Sequence, residues 1–181
     1  MIQNVRLVPL QPSDRKQFVL DNQEAFKYGV TEEFGLRDDH FEEDDGEHQS
    51  SGEIISRDTI EQAIDEPNAE TYRIVCDGQI VGGVVIRIDH KTLRGDLDLL
   101  FVSPHVHSKG IGYAAWCEVE KIHPEVRVWE TMTPYFEKRN IHFYVNRCGF
   151  HIVEFFGERH PDPNFPSDSP DEMFRFEKVM V

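Results

Sequence analysis

The stretch of the sequence with the clearest chemical potential is a pair of glycines, Gly110-Ile111-Gly112, which follows a predicted strand and opens a predicted helix. Glycines have no Cβ atoms to block a ligand, and the first-turn N–H groups of a helix can face an anion. The same pattern is also typical of a tight turn that binds nothing. The glycines therefore predict either a phosphate or pyrophosphate site or a plain strand-to-helix turn.

The segments around the glycine pair predict a mixed sheet. Residues 95–102 alternate between apolar and polar, and residues 110–123 carry apolar side chains at helical spacing. Upstream, residues 71–76 and 79–88 flank Asp77-Gly78, a pair that favours a type I′ hairpin turn. Further strands are predicted at 5–10, 125–132, 150–156 and 173–180, and further helices at 12–29, 56–64 and 135–148.

These elements predict an α/β (α+β) fold with a single mixed, mostly antiparallel sheet of about seven strands flanked by about four helices. A chain of 181 residues suits one domain, 1–181. The exception is a run of acidic residues within about 31–55, which we interpret as a solvated loop insertion. An acidic lid over an amine substrate and a loose divalent-cation site are the alternatives.

The composition excludes several classes of partner. With 34 acidic and 19 basic residues the formal charge is -15, which argues against nucleic acid or an anionic membrane surface. The cysteines are 3 in number and lack Cys-x-x-Cys spacing, so we expect reduced thiols and no metal site. No targeting or membrane-spanning segment is recognisable, and we expect a cytoplasmic protein.

A second chemical motif lies in the predicted helix 135–148, where Asn140 and Tyr144 share one helix face and Gly149-Phe150 follows. Together with Val102-Ser-Pro104 and the glycine pair, this order of elements resembles the GNAT family of N-acetyltransferases over about residues 71–156. The family pattern has the Tyr four residues before Gly-Phe and an Asn seven before the Tyr. Here the spacings are five and four, and an extra residue in a helical bulge would absorb the difference.

The resemblance implies that acetyl-CoA is the acyl donor, with no metal. The pyrophosphate would bind the glycine turn, although His107 stands where the family has Gln or Arg. The pantetheine arm would run along the strand that precedes the turn. The implied cofactor-binding residues are Leu100, Phe101, Val102, His107, Ser108, Lys109, Gly110, Ile111, Gly112, Tyr113, Asn140 and Phe143.

Acetyl transfer to an amine needs a base for the amine, a donor for the oxyanion and a proton for the departing thiolate. The resemblance assigns the proton-donor role to Tyr144, whose alternative is an ordinary core aromatic. For the base, Asp98 on the strand 95–102 is our candidate, although acids on a strand often only face solvent. The other candidates are Asp96, Glu130, His142 and His151.

We therefore predict an acyl-CoA-dependent N-acetyltransferase that moves the acetyl group directly from acetyl-CoA to an amine. The acidic composition favours a small cationic acceptor, and a homodimer is left open. The alternative is a non-catalytic acyl-CoA-binding or interaction module. A nucleotide-binding protein of another fold is disfavoured, because the sequence lacks Gly-Lys-Ser/Thr and the alternation of strands and helices.

Overall fold

The computed structural model describes residues 4–34, 55–106, 110–164 and 172–181, with side chains described in α1 only as far as residue 29. Most of the predicted acidic insertion lies outside these residues. The strands are β1 (Val5–Pro9), β2 (Ala69–Cys76), β3 (Gln79–Asp89), β4 (Arg94–Val102), β5 (Val128–Pro134), β6 (His151–Phe156) and β7 (Met173–Val179). The helices are α1 (Arg15–Phe34), α2 (Arg57–Asp65), α3 (Ile111–Ile122) and α4 (Lys138–His142), and a π-helical segment, Phe143–Cys148, continues α4.

The described strands form one 7-stranded sheet in the order β1-β2-β3-β4-β5-β7-β6. Strands β4 and β5 pair in parallel, and every other neighbouring pair is antiparallel. The predicted fold class, a mixed and mostly antiparallel sheet with four helices, is confirmed. The parallel pair sits in the middle of the sheet, so the two strands that later define the site are supported on both sides.

The predicted hairpin between β2 and β3 is also confirmed. Asp77 and Gly78 have φ values of 50° and 83°, and Cys76 lies opposite Gln79 across the turn. Positive φ at both central residues is the signature of a type I′ turn, and its twist matches that of the flanking strands. The turn fixes the register of β3, which in turn fixes β4.

Two layers of helices cover the sheet. Helix α3 and the π segment bury Trp116 and Tyr144 against one face, where the Trp116 ring packs edge-on against Trp129 at 5.2 Å between centroids. Helices α1 and α2 bury Phe18 and Ile60 against the other face. None of the helices in the described ranges has the length and apolar character needed to cross a membrane.

The predicted end of the first helix is wrong. Helix α1 does not stop at Gly29 but continues to Phe34. A glycine inside a helix costs only about 0.5–1 kcal/mol, which neighbouring residues of good helix propensity outweigh. Gly29 therefore lies within the helix and, as described below, lines the site.

The two consecutive glycines of β3 are explained by close packing. A Cβ atom on Gly82 would lie 2.2 Å from the backbone oxygen of Phe101, and one on Gly83 would lie 2.3 Å from the Phe18 ring. Glycine is needed at these two positions because β4 and α1 approach β3 too closely for a residue that has a Cβ atom. These contacts fix β4 against β3 next to the region where the site forms.

Replacing Gly82 with Ala should therefore destabilise the protein. We expect a loss of about 2 kcal/mol of unfolding free energy, or about 4–8 °C in Tm, because the neighbouring backbone oxygen cannot move away cheaply. Gly29→Ala is the matched control, since a Cβ there meets nothing within 4 Å and should stabilise the helix slightly. Thermal unfolding followed by circular dichroism measures both, and an unchanged Tm for Gly82→Ala would contradict the packing argument.

Candidate active site

Strands β4 and β5 diverge to open the site. Their parallel pairing runs only from Arg94 opposite Val128 to Asp96 opposite Glu130. Beyond these positions, no strand in the described part of the chain pairs with that edge of β4, although the Thr131 hydroxyl donates a hydrogen bond to the Leu97 carbonyl at 2.9 Å. The two strands consequently leave a gap between them beside the end of β4.

The glycine turn places the start of α3 at one end of this gap. Gly110 is the N-cap of α3 with φ 74°, in the left-handed region, and its carbonyl accepts a bond from the Ala114 N–H at 3.0 Å. The N–H groups at the beginning of a helix have no acceptor within the helix, so they can bind an anion. Three predicted residues of this turn, His107, Ser108 and Lys109, lie outside the described residues.

The second chemical motif lies on α4 and the π segment, and the predicted bulge is confirmed. The backbone passes from α-helix to π-helix at Phe143 and ends at Gly149, where φ is 81°. The Phe150 N–H returns to the Tyr144 carbonyl at 2.9 Å. A π segment holds more residues per turn than an α-helix, so it accommodates the irregular spacing between Tyr144 and Gly149.

These elements line a cavity of about 700 Å³. It brings together ten of the predicted site residues: Leu100, Phe101, Val102, Gly110, Ile111, Gly112, Tyr113, Asn140, Phe143 and Tyr144. The remaining lining residues are Ala25, Phe26, Gly29, Val106, Glu137, Arg139, His142 and Arg147. The cavity therefore runs from the α3 N-terminus, along the end of β4, to the buried phenol of Tyr144.

Tyr144 has the properties of a proton donor. Its side chain is only 8% exposed, and its ring packs against Phe150 and Phe176 with centroids 5.7 and 5.6 Å away. Burial raises the pKa of the phenol above its ordinary value, an effect that outweighs the opposing hydrogen bond with Thr131. The phenol therefore keeps its proton at neutral pH, and packing fixes it against the cavity wall.

Glu137 is a lining residue that the sequence argument missed. It follows β5, is 8% exposed, and accepts hydrogen bonds from the Thr133 hydroxyl at 3.5 Å and from the Asn140 amide. It stands seven residues before Tyr144, where the GNAT pattern has Asn, and that spacing was the signal that could have identified it. The carboxylate is close enough to Tyr144 to contribute to the raised pKa of the phenol.

Arg147 is a second lining residue that was not predicted. Its guanidinium lies over the Tyr113 ring at 5.6 Å from the centroid, and Tyr113 belongs to the first turns of α3. This cation–π contact holds a permanent positive charge beside the helix N-terminus. The anion-binding character of the glycine turn is thereby strengthened by a side chain from the opposite wall.

The structure does not bring Asp98 into this cavity. Its carboxylate accepts two hydrogen bonds from Arg87, at 2.6 and 2.9 Å, and Arg87 also contacts Asp96 at 3.8 Å. Glu130 is held in the same way by Arg94 and Arg175. Arginine partners therefore bind all three strand carboxylates that sequence reasoning offered as bases, and none of them lines the cavity.

The two histidines proposed as alternatives differ in position. His142 lines the cavity from its exposed side and is hydrogen-bonded to Asn146 at 2.9 Å, whereas His151 begins β6 and does not line it. Within the residues that the structure describes, no group of three or more His, Cys, Asp or Glu side chains is placed to hold a metal ion. The ionisable side chains at the cavity are the phenols of Tyr113 and Tyr144, the Glu137 carboxylate, the His142 imidazole and the guanidiniums of Arg139 and Arg147.

A central pair of diverging parallel strands, a helix that starts at a glycine turn and a buried phenol define the site as that of an acyl-CoA-dependent transferase fold. The sequence agrees, since residues 34–150 match the acetyltransferase (GNAT) family, and the chain belongs to that family. It is 44% identical over 177 residues to the uncharacterized protein YrkN of Bacillus subtilis (strain 168), covering 93% of this chain and 89% of that protein.

Solved structures share the fold at much lower sequence identity. One is the PaiA N-acetyltransferase of Thermoplasma acidophilum in complex with coenzyme A, with a TM-score of 0.63, 16% identity, and coverage of 98% of this chain and 99% of that chain. Another is the spermidine N-acetyltransferase of Vibrio cholerae in complex with CoA and spermine, with a TM-score of 0.63, 14% identity, and coverage of 97% and 95%.

Proposed function

We propose that this protein transfers the acetyl group of acetyl-CoA directly to an amine. The observation that carries the proposal is the cavity, which joins the start of helix α3, the end of β4 and a buried phenol. Each of these parts suits a different portion of the donor. Family membership supports the same reaction class.

The binding of the donor is proposed from the shape and charge of the cavity. The first-turn N–H groups of α3 and the guanidinium of Arg147 would hold the pyrophosphate, because both present positive charge at the same end. The edge of β4 that faces β5, at Leu100, Phe101 and Val102, would bind the amide groups of the pantetheine arm, because the pairing of β4 with β5 ends at Asp96. Acetyl-CoA supplies the activated thioester that the amine attacks.

Tyr144 would protonate the thiolate that leaves. A buried phenol with a raised pKa is protonated before the reaction and can donate that proton to the thiolate that forms beside it. Asn140, on the same helix face, lines the same cavity and donates a hydrogen bond to Glu137. Asn140 and Tyr144 would therefore contact the donor from the same wall of the cavity.

A small cationic amine is the proposed acceptor class. The wall contributed by α1 is uncharged in its described part, with Ala25, Phe26 and Gly29, while Glu137 contributes a carboxylate. A net charge of -15 favours the approach of cations over anions. The spermidine N-acetyltransferase of Vibrio cholerae, which has the same fold, is in complex with spermine, an amine of this chemical class.

The direct test is turnover across a panel of amines at fixed pH. Di- and polyamines, a neutral amine of similar length and an amino acid would be incubated with acetyl-CoA, and released thiol and acetylated product would be measured together. We expect turnover of at least one amine, with the dicationic compounds preferred. Tight acetyl-CoA binding with no turnover of any amine would overturn the proposal and favour the non-catalytic module, which the intact cavity does not otherwise support.

A further inference from the structure

We infer that Thr131 is a positioning residue for the acid step, because its hydroxyl holds the Tyr144 phenol before the proton leaves and stabilises the phenolate afterwards. The inference rests on the proposed acetyl transfer, with Tyr144 as its proton donor. The sequence motifs do not include Thr131, since its role depends on a contact that joins two strands to the π segment.

Thr131 stands at the point where β4 and β5 separate. The pairing of the two strands ends with Asp96 opposite Glu130, and Thr131 is the next residue of β5. Its hydroxyl donates a hydrogen bond to the Leu97 carbonyl at 2.9 Å, so a side chain extends the link between the strands by one residue. The hydroxyl is thereby fixed at the closed end of the gap between β4 and β5.

Thr131 also faces the phenol. It lies opposite Phe176 of β7, and the Phe176 ring packs against the Tyr144 ring with centroids 5.6 Å apart. The Thr131 side chain forms a hydrogen bond with the Tyr144 phenol. Thr131 is 5% exposed and Tyr144 is 8% exposed, so little solvent reaches either group. One buried hydroxyl therefore connects the strand opening to the proposed proton donor.

The single hydrogen of the Thr131 hydroxyl sets the direction of these contacts. A hydroxyl donates one hydrogen bond and accepts through two lone pairs. While Thr131 donates to the Leu97 carbonyl, its contact with Tyr144 runs from the phenol O–H to the threonine oxygen. A phenolate has no hydrogen, so Thr131 must then be the donor. Rotation about the Cβ–Oγ1 bond lets the same hydroxyl bind both protonation states.

Stabilising the phenolate matters because the proton transfer runs uphill. An ordinary phenol has a pKa of about 10 and an ordinary thiol about 8.5, so a thiolate takes a phenol proton only at a cost. Burial raises the pKa of Tyr144 and increases that cost, whereas the hydrogen bond with Thr131 lowers the pKa. A buried anion that lacks such a donor bears its full desolvation penalty. Thr131 therefore offsets part of what burial adds.

The proton and electron transfers balance as follows. The acceptor ammonium releases one proton to solvent, and the nitrogen lone pair forms the C–N bond to the thioester carbon. The C–S bond breaks with its electron pair on sulfur, which takes the Tyr144 proton, and the Thr131 hydroxyl turns to the phenolate. The phenolate then takes the second proton from the amide nitrogen. The products are the acetylated amine, free thiol and one proton, and Thr131 keeps its own proton throughout.

The experiment compares Thr131→Val and Thr131→Ser with wild type, using acetyl-CoA and the amine that the panel identifies. Val keeps the shape and removes the hydroxyl, whereas Ser keeps the hydroxyl. We expect kcat of Thr131→Val to fall by about 10–100-fold, because a hydrogen bond to a charged group is lost. The KM for acetyl-CoA should stay within about threefold, and Thr131→Ser should return kcat to within about threefold of wild type.

A double-mutant cycle separates this role from a structural one. In the Tyr144→Phe background, Thr131→Val should change the residual kcat by less than about twofold, because no phenol proton is left to position. If Thr131 only linked β4 to β5, Thr131→Val would lower kcat by the same factor in both backgrounds, and the inference would be overturned. Wild-type kcat in Thr131→Val, or no rescue by Thr131→Ser, would overturn it as well.

Two further variants guard against a loss of folding. Thr131→Val removes a donor from the buried Leu97 carbonyl, so its Tm is measured first. Should it not fold, Thr131→Cys takes its place, since a thiol is a weaker donor, and kcat should lie between wild type and the lower end expected for Val. Thr71→Val removes a threonine hydroxyl from β2, outside the cavity lining, and should behave as wild type.

The proposed function and this inference fail differently. A wild-type protein that acetylates no amine in the panel removes both. A wild-type protein that turns over an amine, with a folded Thr131→Val variant that is equally active, leaves the transfer intact and removes only the role of Thr131. If Tyr144→Phe is itself as active as wild type, the transfer stands while the roles of Tyr144 and Thr131 fall together.

Discussion

Replacing Tyr144 with Phe is expected to lower kcat by about 10²–10⁴-fold while changing the Kd of acetyl-CoA by no more than about threefold. The phenol is positioned at the buried end of the cavity, and the raised pKa keeps its proton on the oxygen until the thiolate forms. Phe keeps the ring contacts with Phe150 and Phe176, so the helix and the cavity wall should retain their shape.

The pH dependence of kcat in the wild-type protein should also reflect the raised pKa of Tyr144. Because burial raises the pKa of Tyr144, the phenol is protonated below its ordinary pKa and for some distance above it. Loss of the donor proton therefore cannot limit the rate between neutral pH and about pH 10. A fall in kcat within that window that is absent from Tyr144→Phe would contradict the raised pKa, because it would show that the phenol loses its proton there.

Tyr72→Phe is the matched control for the phenol. Tyr72 on β2 also has a pKa raised first by burial, and its hydroxyl donates to Glu70, but it does not line the cavity. The same atom is thus removed from a similar environment in both variants. Equal losses of kcat in Tyr72→Phe and Tyr144→Phe would mean that the effect of Tyr144 is structural.

The sheet could be predicted from sequence because its signals are local. Asp77-Gly78 encodes the turn, and the alternation in 95–102 encodes β4, so the meander follows without knowledge of tertiary contacts. The end of α1 could not be predicted in the same way. Gly29 reduces helix propensity only modestly, and whether a helix continues past such a residue depends on what it packs against.

The backbone geometry around the glycine turn could also be predicted, because it depends mainly on local sequence and on the order of the elements. Left-handed φ at Gly110 and divergence of β4 from β5 follow from a glycine turn and a resemblance in the order of elements. The irregular spacing of Tyr144 and Gly149 even indicated the π segment. The spacing of residues can be read from the sequence alone, so a feature that depends on spacing can be predicted without the structure.

The surroundings of the strand carboxylates could not be predicted by the same reasoning, because they depend on which charges meet across the sheet. Asp98 is a plausible base in the sequence, yet Arg87 on the neighbouring strand binds its carboxylate. Cross-strand pairing is set by the register of β3 and β4, including the shift between Val85 and Ile86. A one-residue irregularity decides which side chains meet, and no local pattern reports it.

Replacing Gly110 with Val is expected to weaken acetyl-CoA binding by at least about 100-fold. At φ 74° a β-branched residue is sterically disfavoured, by about 1–2 kcal/mol or more, so the turn must change its conformation. The first N–H groups of α3 would then point away from the anion. Losing two hydrogen bonds to a charged group costs about 3–6 kcal/mol, which sets the lower bound of the effect.

Gly78→Val separates this loss of binding from a loss of stability. Gly78 has φ 83° in the turn between β2 and β3 and does not line the cavity, so the substitution carries the same backbone penalty at a remote place. We expect similar decreases in Tm for the two variants, but wild-type acetyl-CoA affinity for Gly78→Val by calorimetry. A Cβ at Gly110 meets no protein atom within 4 Å, so the substitution itself adds no steric clash with the protein there. Unchanged affinity in a folded Gly110→Val protein would exclude the α3 N-terminus as the pyrophosphate site.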